Sequence, residues 1–372
     1  MTGQLRVAFD AAPLLPPHTG IGRVTDELIR RLATRDDLEL TSYVLGIRGR
    51  DGLADALPGG VRQASRRMPA RPMRQSWLHT GQPRFERMVG TFDLVHGTNF
   101  IVPPTTRTPT LVTVHDLVAL LHPDVVEHHS RIYPQLIAKA IERGAWVQVA
   151  SDWVANEVRS AFPISAERVV TIANGVTPVM GGDAAAGRAT VGFERYILAM
   201  GTIEPRKCYP DLIAAFDEVA AVDDEVGLVI VGKLGWGSDA FKAALTAANY
   251  ADRIRHLGWI DEPASVLRGA TVLAYPSLYE GFGLPPLEAM TADIPVVTTR
   301  AGAVPEVVGD AAIVVPVGDI DELAAALVRV VSDQALRDQL IAAGRTRVKR
   351  YSWDVAAEQH ARLYHRVADA SA

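Results

Sequence analysis

The sequence predicts an α/β protein made of two doubly wound domains. Three observations predict it. The chain has 372 residues, more than one hydrophobic core ordinarily organises. Short β-rich runs alternate with amphipathic helical patterns almost from end to end, as parallel sheets covered on both faces require. The alternation stops once, at "TPVMGGDAAAGRATVGFER" (177–195), a Gly- and Ala-rich stretch without clear periodicity, and then starts afresh. That stretch is expected to be the linker. It puts one domain at 1–180 and the other at 190–350.

In the first series, "LRVAFDA" reads as a strand. A Gly-containing loop and the amphipathic helix "RVTDELIRRLATR" follow. "LELTSYVLG", "FDLVHGTNF", "PTLVTVHDL" and "AWVQVASD" read as further strands, each ending in polar or Gly residues. "WVANEVRSAF" reads as a helix, and "RVVTIANGV" as a strand closing on the turn pair Asn174-Gly175. In the second series the strands are "YILAMGT", "VGLVIVGK", "RIRHLGWI", "TVLAYPS", "IPVVTTR" and "AAIVVPV". The intervening helices are "YPDLIAAFDEVAA", "SDAFKAALTAANY", "PASVLRGA" and "PPLEAMTAD". Two or three more helices close the chain, the last being "SWDVAAEQHARLYHRVADA". Doubly wound sheets bind ligands outside the carboxyl ends of their strands. Polar residues at strand ends are therefore the candidate site residues, and the crevice between two such domains is the expected location.

Composition narrows the class. The chain is 48% hydrophobic and 22% charged, ordinary for a soluble protein. No run reaches the roughly 18 apolar residues of a membrane span. The N-terminus lacks a basic stretch followed by a long apolar one, so a cytoplasmic protein is expected. The one cysteine, Cys208, cannot form an internal disulfide or build a cysteine metal site. The net charge of −5 is uneven: +3 over residues 1–182 and −8 over 183–372. The basic excess gathers in residues 61–90, where Arg62, Arg66, Arg67, Arg71, Arg74, Arg84 and Arg87 face one acid, Glu86. Met68, Met73, Trp77, Leu78, Phe85 and Met88 are interleaved. A solvated helix-and-loop region has this look. So does an interfacial patch for anionic lipid or an anionic acceptor, from Arg62 to Arg87. Nucleic acid is not an expected partner, because the whole protein is acidic and no recognition motif accompanies the patch.

Four strand ends carry chemistry. In "DAAPLLPPHTGIGRVTDELIRRL" a strand runs into Gly20-Ile21-Gly22 and then a helix, an arrangement that lets backbone amides approach an anion. Thr25 stands where a dinucleotide fingerprint needs its third glycine, so a plain structural turn reads equally well. His115 follows the apolar run "PTLVTV" and sits at a strand's carboxyl end, beside Asp116. In "MGTIEPRKCYPDL", the adjacent cations Arg206 and Lys207 suit a diphosphate, since arginine binds it bidentately and lysine acts as a point charge. In "SLYEGFGLPPLEAM", Glu280 lies in the loop and Glu288 about one turn into the helix that Pro285-Pro286 begin. Gly281 and Gly283 expose amides beside that helix start, where a phosphate fits. The two carboxylates would flank it, one toward a sugar and one toward a ribose. A metal site is a poor reading, with no histidine or third acid nearby in sequence. The Asp319-x-Asp321 pair directly precedes an Ala/Leu-rich helix, and Asp319 reads as its N-cap.

Together and in this order, these motifs resemble the retaining family 4 glycosyltransferases of the GT-B fold. That fold has two Rossmann-like domains facing across a donor-binding crevice. The resemblance spans nearly the whole chain. It rests on the Glu280-x7-Glu288 element, "GTIEPRK", "NGV" and the terminal "YSWDVAAEQHARLY". "HTGIGR" with "GTIEPRK" looks most like the mannosyltransferase-like branch that builds cell-envelope polysaccharides and glycolipids. The resemblance implies transfer of a hexose from a nucleotide diphosphate sugar, without a metal, to a glycan or lipid-linked acceptor, at the inner face of the membrane if that acceptor is a lipid. GDP-mannose follows from the branch, and a UDP-sugar is the alternative. Gly20 and Gly22 would form a loop near the donor phosphate, and His115 would lie beside sugar and acceptor. Arg206 and Lys207 would neutralise the diphosphate. Glu280 and the amides of Phe282, Gly283 and Leu284 would hold sugar and phosphate, and Glu288 the ribose. The last helix, 353–372, would cross back onto the first domain. Many relatives carry an arginine where this chain has Thr202, so Arg206 must supply that charge. A nucleotide-sugar 2-epimerase shares the architecture and is the competing enzyme reading. A dehydrogenase is disfavoured by the incomplete glycine fingerprint.

Overall fold

The computed structural model describes residues 3–16, 19–45, 52–64 and 70–370. They form two all-parallel sheets. The first holds β1 (Leu5–Asp10), β2 (Leu38–Tyr43), β3 (Arg62–Gln63), β4 (Leu94–Gly97), β5 (Thr110–Thr113), β6 (Trp146–Val149) and β7 (Val169–Thr171), in the order β3-β2-β1-β4-β5-β6-β7. The second holds β8 (Arg195–Met200), β9 (Val226–Val231), β10 (Ile254–Gly258), β11 (Val272–Tyr275), β12 (Val296–Thr299) and β13 (Ile313–Val315), in the order β10-β9-β8-β11-β12-β13. Both orders are doubly wound, reversing once: between β1 and β4, and between β8 and β11. The two doubly wound α/β domains expected from the alternation are present.

The chain divides into two compact units. One comprises Met1–Leu121, His128–Gly175 and Tyr351–Ala372, and the other His122–Glu127 and Val176–Arg350. In the first, β1 shows how a parallel strand buries both faces. Val7 and Phe9 join one core, with Ile29 of the Gly20–Leu32 helix and Trp353 and Tyr364 of the Trp353–Asp369 helix. Ala8 joins the other, with Trp77 and Phe85. Gly175 passes so close to the Trp353 ring that a Cβ there would clash. In the second unit all six residues of β9 are buried.

Two expectations change. The 177–195 stretch is not structureless: Ala184–Val191 is a helix, capped by Asp183, whose carboxylate accepts from Ala186 N at 2.7 Å. Gly192 ends it in the left-handed conformation, φ 77°. Alanine favours helix on its own account, and Gly187 gives the room in which the Ser265 backbone packs. The basic segment differs too. Met73, Trp77 and Phe85 are core residues, and Leu78 and Met88 pack against that core. These five apolar side chains, which would have entered a lipid interface, thus pack into or against the core. Arg62 pairs with Glu39 at 2.6 Å, and Glu86 accepts from the amides of Thr106, Arg107 and Thr108. Arg66, Arg67 and Met68 lie outside the described residues. Among the described residues no helix is long and apolar enough to cross a membrane.

Candidate active site

The second sheet reverses between β8 and β11, and the loops after β8, β11 and β12 hold the candidate residues. After β8, Gly201 (φ 144°) packs against Tyr209 and Lys207. The turn Pro205–Lys207 then presents two cations, and Cys208, left-handed at φ 50°, starts the Tyr209–Val222 helix. After β11, the amide of Leu278 donates to the Arg206 carbonyl at 2.8 Å, tying the two loops together. After β12, the amide of Ala303 donates to the Glu280 carbonyl at 2.9 Å. Gly302 (φ 57°) passes so close that a Cβ would stand 2.5 Å from that carbonyl oxygen.

At the centre is one carboxylate between two cations. Glu280 Oε1 accepts from Lys207 Nζ at 2.6 Å, and Oε2 from Arg206 Nη1 at 2.8 Å. Arg206 Nε also pairs with Glu204 at 2.7 Å. Lys207 Nζ donates to the Tyr275 hydroxyl at 3.1 Å and lies 4.8 Å from that ring's centroid. Glu280 is 8% and Lys207 7% exposed, so this is a desolvated cluster and not a solvated loop. Burial alone would raise the Glu280 carboxyl. The Arg206 and Lys207 charges outweigh it and hold the group at about 2. Burial lowers the Lys207 ammonium below its ordinary range, against the pull of Glu280. Glu204 is the member that sequence reasoning passed over. It stands in the same "GTIEPRK" run, and an acid two residues before an arginine was the available signal.

The helix Leu284–Thr291 starts beside this cluster. Its N-cap, Gly283, has φ 103°, a conformation open to glycine. Pro285 and Pro286 carry no N–H, so the first turn offers an anion fewer donors than a helix start ordinarily does. The expected phosphate seat narrows to the amides around Gly283 and Leu284. Phe282 is buried, and Glu288 is half-buried one turn on. Asp319 caps the Ile320–Ser332 helix, accepting from Glu322 N at 3.0 Å.

The first unit holds the remaining candidates. Gly20 and Gly22 are not a loop. They open the Gly20–Leu32 helix, whose N-cap Thr19 accepts from Gly22 N at 3.2 Å. A Cβ on Gly22 would stand 2.5 Å from the Pro13 carbonyl oxygen, whereas Gly20 faces open space. Gly22 is thus explained by packing, and only the start of the helix remains for an anion. His115 lies beyond the end of β5, and its Nε2 donates to the Thr98 carbonyl at 3.0 Å. Burial lowers its pKa to about 4, so at neutral pH the ring is uncharged and Nδ1 is an acceptor.

Two family descriptions match the chain, one over each half: "Glycosyltransferase Family 4" over residues 18–179 and "Glycosyl transferases group 1" over 188–347. The O-antigen chain mannosyltransferase B of Escherichia coli is 27% identical over 397 residues, covering 97% of this chain and 99% of the relative. The phosphatidyl-myo-inositol mannosyltransferase of Mycolicibacterium smegmatis is 35% identical over 213 residues, 54% of this chain and 53% of the relative. A GDP-mannose-dependent monoacylated alpha-(1-6)-phosphatidylinositol monomannoside mannosyltransferase of Corynebacterium glutamicum is 29% identical over 199 residues, 49% of this chain and 51% of the relative. Among solved structures, sucrose-phosphate synthase from Thermosynechococcus elongatus superposes with a TM-score of 0.79 at 20% identity, covering 99% of this chain and 100% of that one. WaaG, a glycosyltransferase involved in lipopolysaccharide biosynthesis, gives 0.72 at 17%, covering 96% and 99%. With a glycosyltransferase match over each half and a relative aligned along its length, the chain belongs to the family 4 glycosyltransferases of the GT-B fold and is a nucleotide-sugar-dependent glycosyltransferase.

Proposed function

We propose that the protein moves mannose from GDP-mannose onto a glycan or lipid-linked acceptor, with retention of configuration at the anomeric carbon. The observation that carries this reading is the clamp of Arg206, Lys207 and Glu280 at the switch point, beside the start of the Leu284–Thr291 helix. A nucleotide sugar leaves as a diphosphate anion. Cations fixed in advance, in a site that excludes water, stabilise the charge as it develops. Arg206 and Lys207 take that role, with the Gly283 and Leu284 amides on the phosphate. Glu288 takes the ribose, and His115 Nδ1 accepts from a sugar hydroxyl. The choice of mannose and GDP rests on the names of the relatives, not on residue chemistry.

In this reading the bond from the anomeric carbon to the phosphate oxygen breaks. The acceptor hydroxyl oxygen bonds to that carbon on the face just vacated, and its proton passes to the departing phosphate. Glu280 binds and polarises. With both oxygens engaged by cations and its basicity held low, it is a weak nucleophile.

A thermal-shift panel of sugar nucleotides tests the donor, since a ligand that binds the folded state raises apparent stability by mass action. GDP-mannose should give the largest shift, and a larger shift with a UDP-sugar would overturn that choice. Proton NMR of the transferred sugar then reads the anomer, and an inverted product would overturn retention. Release of free, epimerised sugar without any acceptor would favour the epimerase.

A further inference from the structure

The clamp holds a second acid to which the transfer reading gives no part. Glu204 Oε1 stands 2.7 Å from Arg206 Nε. The two carboxylates on Arg206 are held differently. Glu280 accepts a hydrogen bond on each oxygen, from Arg206 and from Lys207, and its side chain is buried. Its carbonyl is tied to the Ala303 amide. Glu204 is half-buried. Its side chain has the ion pair alone: among the described residues neither of its carboxylate oxygens accepts a hydrogen bond. The Glu204 backbone is nonetheless fixed. Its carbonyl accepts from Lys207 N at 3.0 Å. Ile203, just before it, donates its amide to the Lys233 carbonyl and accepts from Gly235 N, each at 2.9 Å. Releasing Glu204 from Arg206 therefore asks for a side-chain rotation and no movement of the loop.

Charge says what displaces it. Glu204 and Glu280 balance Arg206 and Lys207, so the four side chains form a neutral set. A diphosphate brings further negative charge to the same two cations, and one carboxylate must give way. Glu280 is the wrong one, because its departure would strand the buried Lys207 ammonium. Glu204 is the right one: Arg206 keeps Glu280, and a half-buried carboxylate reaches water by rotating outward. We propose that Glu204 is a stand-in anion. It neutralises Arg206 until a diphosphate arrives, then turns to solvent and leaves Nε to a phosphate oxygen. The nucleoside diphosphate that remains after transfer is expelled by the reverse exchange. Glu204 acts through Arg206 and touches no substrate, and its charge keeps the affinity for donor and product low enough for release. The inference rests on the transfer reading above, which puts the diphosphate on Arg206 and Lys207.

Isothermal titration calorimetry on the full chain, with GDP, UDP and inorganic pyrophosphate as probes, tests the proposal. Glu204→Gln keeps the shape of the side chain and removes its charge, and Glu204→Ala removes both. Whichever nucleoside diphosphate binds the parent more tightly should bind each variant tighter still by roughly tenfold or more, the scale of one charge contact removed from a partly screened site. Pyrophosphate should follow it, and the KM for GDP-mannose should fall. A residue that only shaped the loop would weaken binding when replaced, so a gain in affinity is a readout that such a role does not give. Thermal melting near the parent's shows that each variant is folded. Binding by Glu204→Gln no tighter than by the parent would overturn the proposal, and tightening by Glu204→Ala alone would assign the effect to bulk and overturn it too. Binding of neither nucleoside diphosphate to the parent, or binding unmoved by both Arg206→Gln and Lys207→Gln, would instead sink the transfer reading itself, and the proposal with it.

Discussion

Glu280 puts two cations on one carboxylate, and this sets what its replacement does. Glu280→Gln keeps the shape and removes the charge, leaving Arg206 with Glu204 and Lys207 buried without an anion. Removing one partner of a buried pair costs about 3–5 kcal/mol, and losing a charge-stabilising group at a reacting centre typically costs roughly 10²–10³ in rate. The variant is expected to melt lower and to lose transfer by that order. Turnover near the parent's, measured at saturating donor, would contradict both roles. The glycine pair gives a second test. Gly22→Ala drives a methyl into the Pro13 carbonyl and should destabilise by about 1–3 kcal/mol. Gly20→Ala meets open space in the first helical turn, where alanine is the better residue by up to about 1 kcal/mol. Denaturant titration of both variants checks the contrast, and equal losses would refute it. Reading Gly20-Ile21-Gly22 as a loop fails because Thr19, the residue that caps the helix, goes unweighed. The Pro13 carbonyl that makes Gly22 necessary is a contact sequence cannot show.

The Trp353–Asp369 helix does more for the first unit than cover it. The Thr113 hydroxyl donates to Gln148 Oε1 at 2.8 Å, so its oxygen must accept from His96 Nε2, 2.9 Å away. A neutral His96 then offers Nδ1 as an acceptor, and the Tyr364 hydroxyl, 2.8 Å off, donates to it. Gln148 Nε2 ends the chain on the carbonyls of Val149 and Ile172. One polarised relay therefore runs from this helix through β4, β5 and β6 to the residue after β7. Tyr364→Phe removes its first donor and leaves His96 Nδ1 buried and unpaired, at a cost of about 1–3 kcal/mol. A chemical melt should show that loss, and Tyr364→Phe as stable as the parent would mean the relay contributes nothing. Most strands were legible because a parallel strand buried on both faces is a short apolar run. The Tyr133–Glu142 and Ala184–Val191 helices were not. In Ala184–Val191 only Gly187 and Val191 are buried, so there is no stripe to read. Its caps define it.

The two units should answer acid differently, because their buried ionisable groups are of opposite kinds. The first holds neutral histidines. Burial lowers His115 and His360 to about 4, and His96 is also lowered, by burial and by the other two. A depressed histidine contributes stability that is whole above its unfolded value of about 6.5 and is lost as pH falls toward 4. Asp10 runs the other way. Burial raises it to about 6 against the Ala12 amide and Arg74, so it regains stability between about 6 and 4 and offsets part of the loss. In the second unit Glu280, held at about 2, keeps its contribution until pH falls through about 4.5. None of this was legible in the sequence. The strand-end positions of His115, Arg206, Lys207 and Glu280 were, because alternation and turn chemistry locate strand ends. What surrounds each group depends on partners far off in the chain, such as Arg206 and Glu280, which meet across 74 residues. Hydrogen exchange read by mass spectrometry at pH 7, 5.5 and 4.5 checks the order. Peptides from 3–121, 128–175 and 351–370 should lose protection between pH 6.5 and 4.5, while those from 176–350 hold theirs. Loss beginning in 176–350, or in both units at one pH, would show that the buried histidines do not set the acid limit of the first unit.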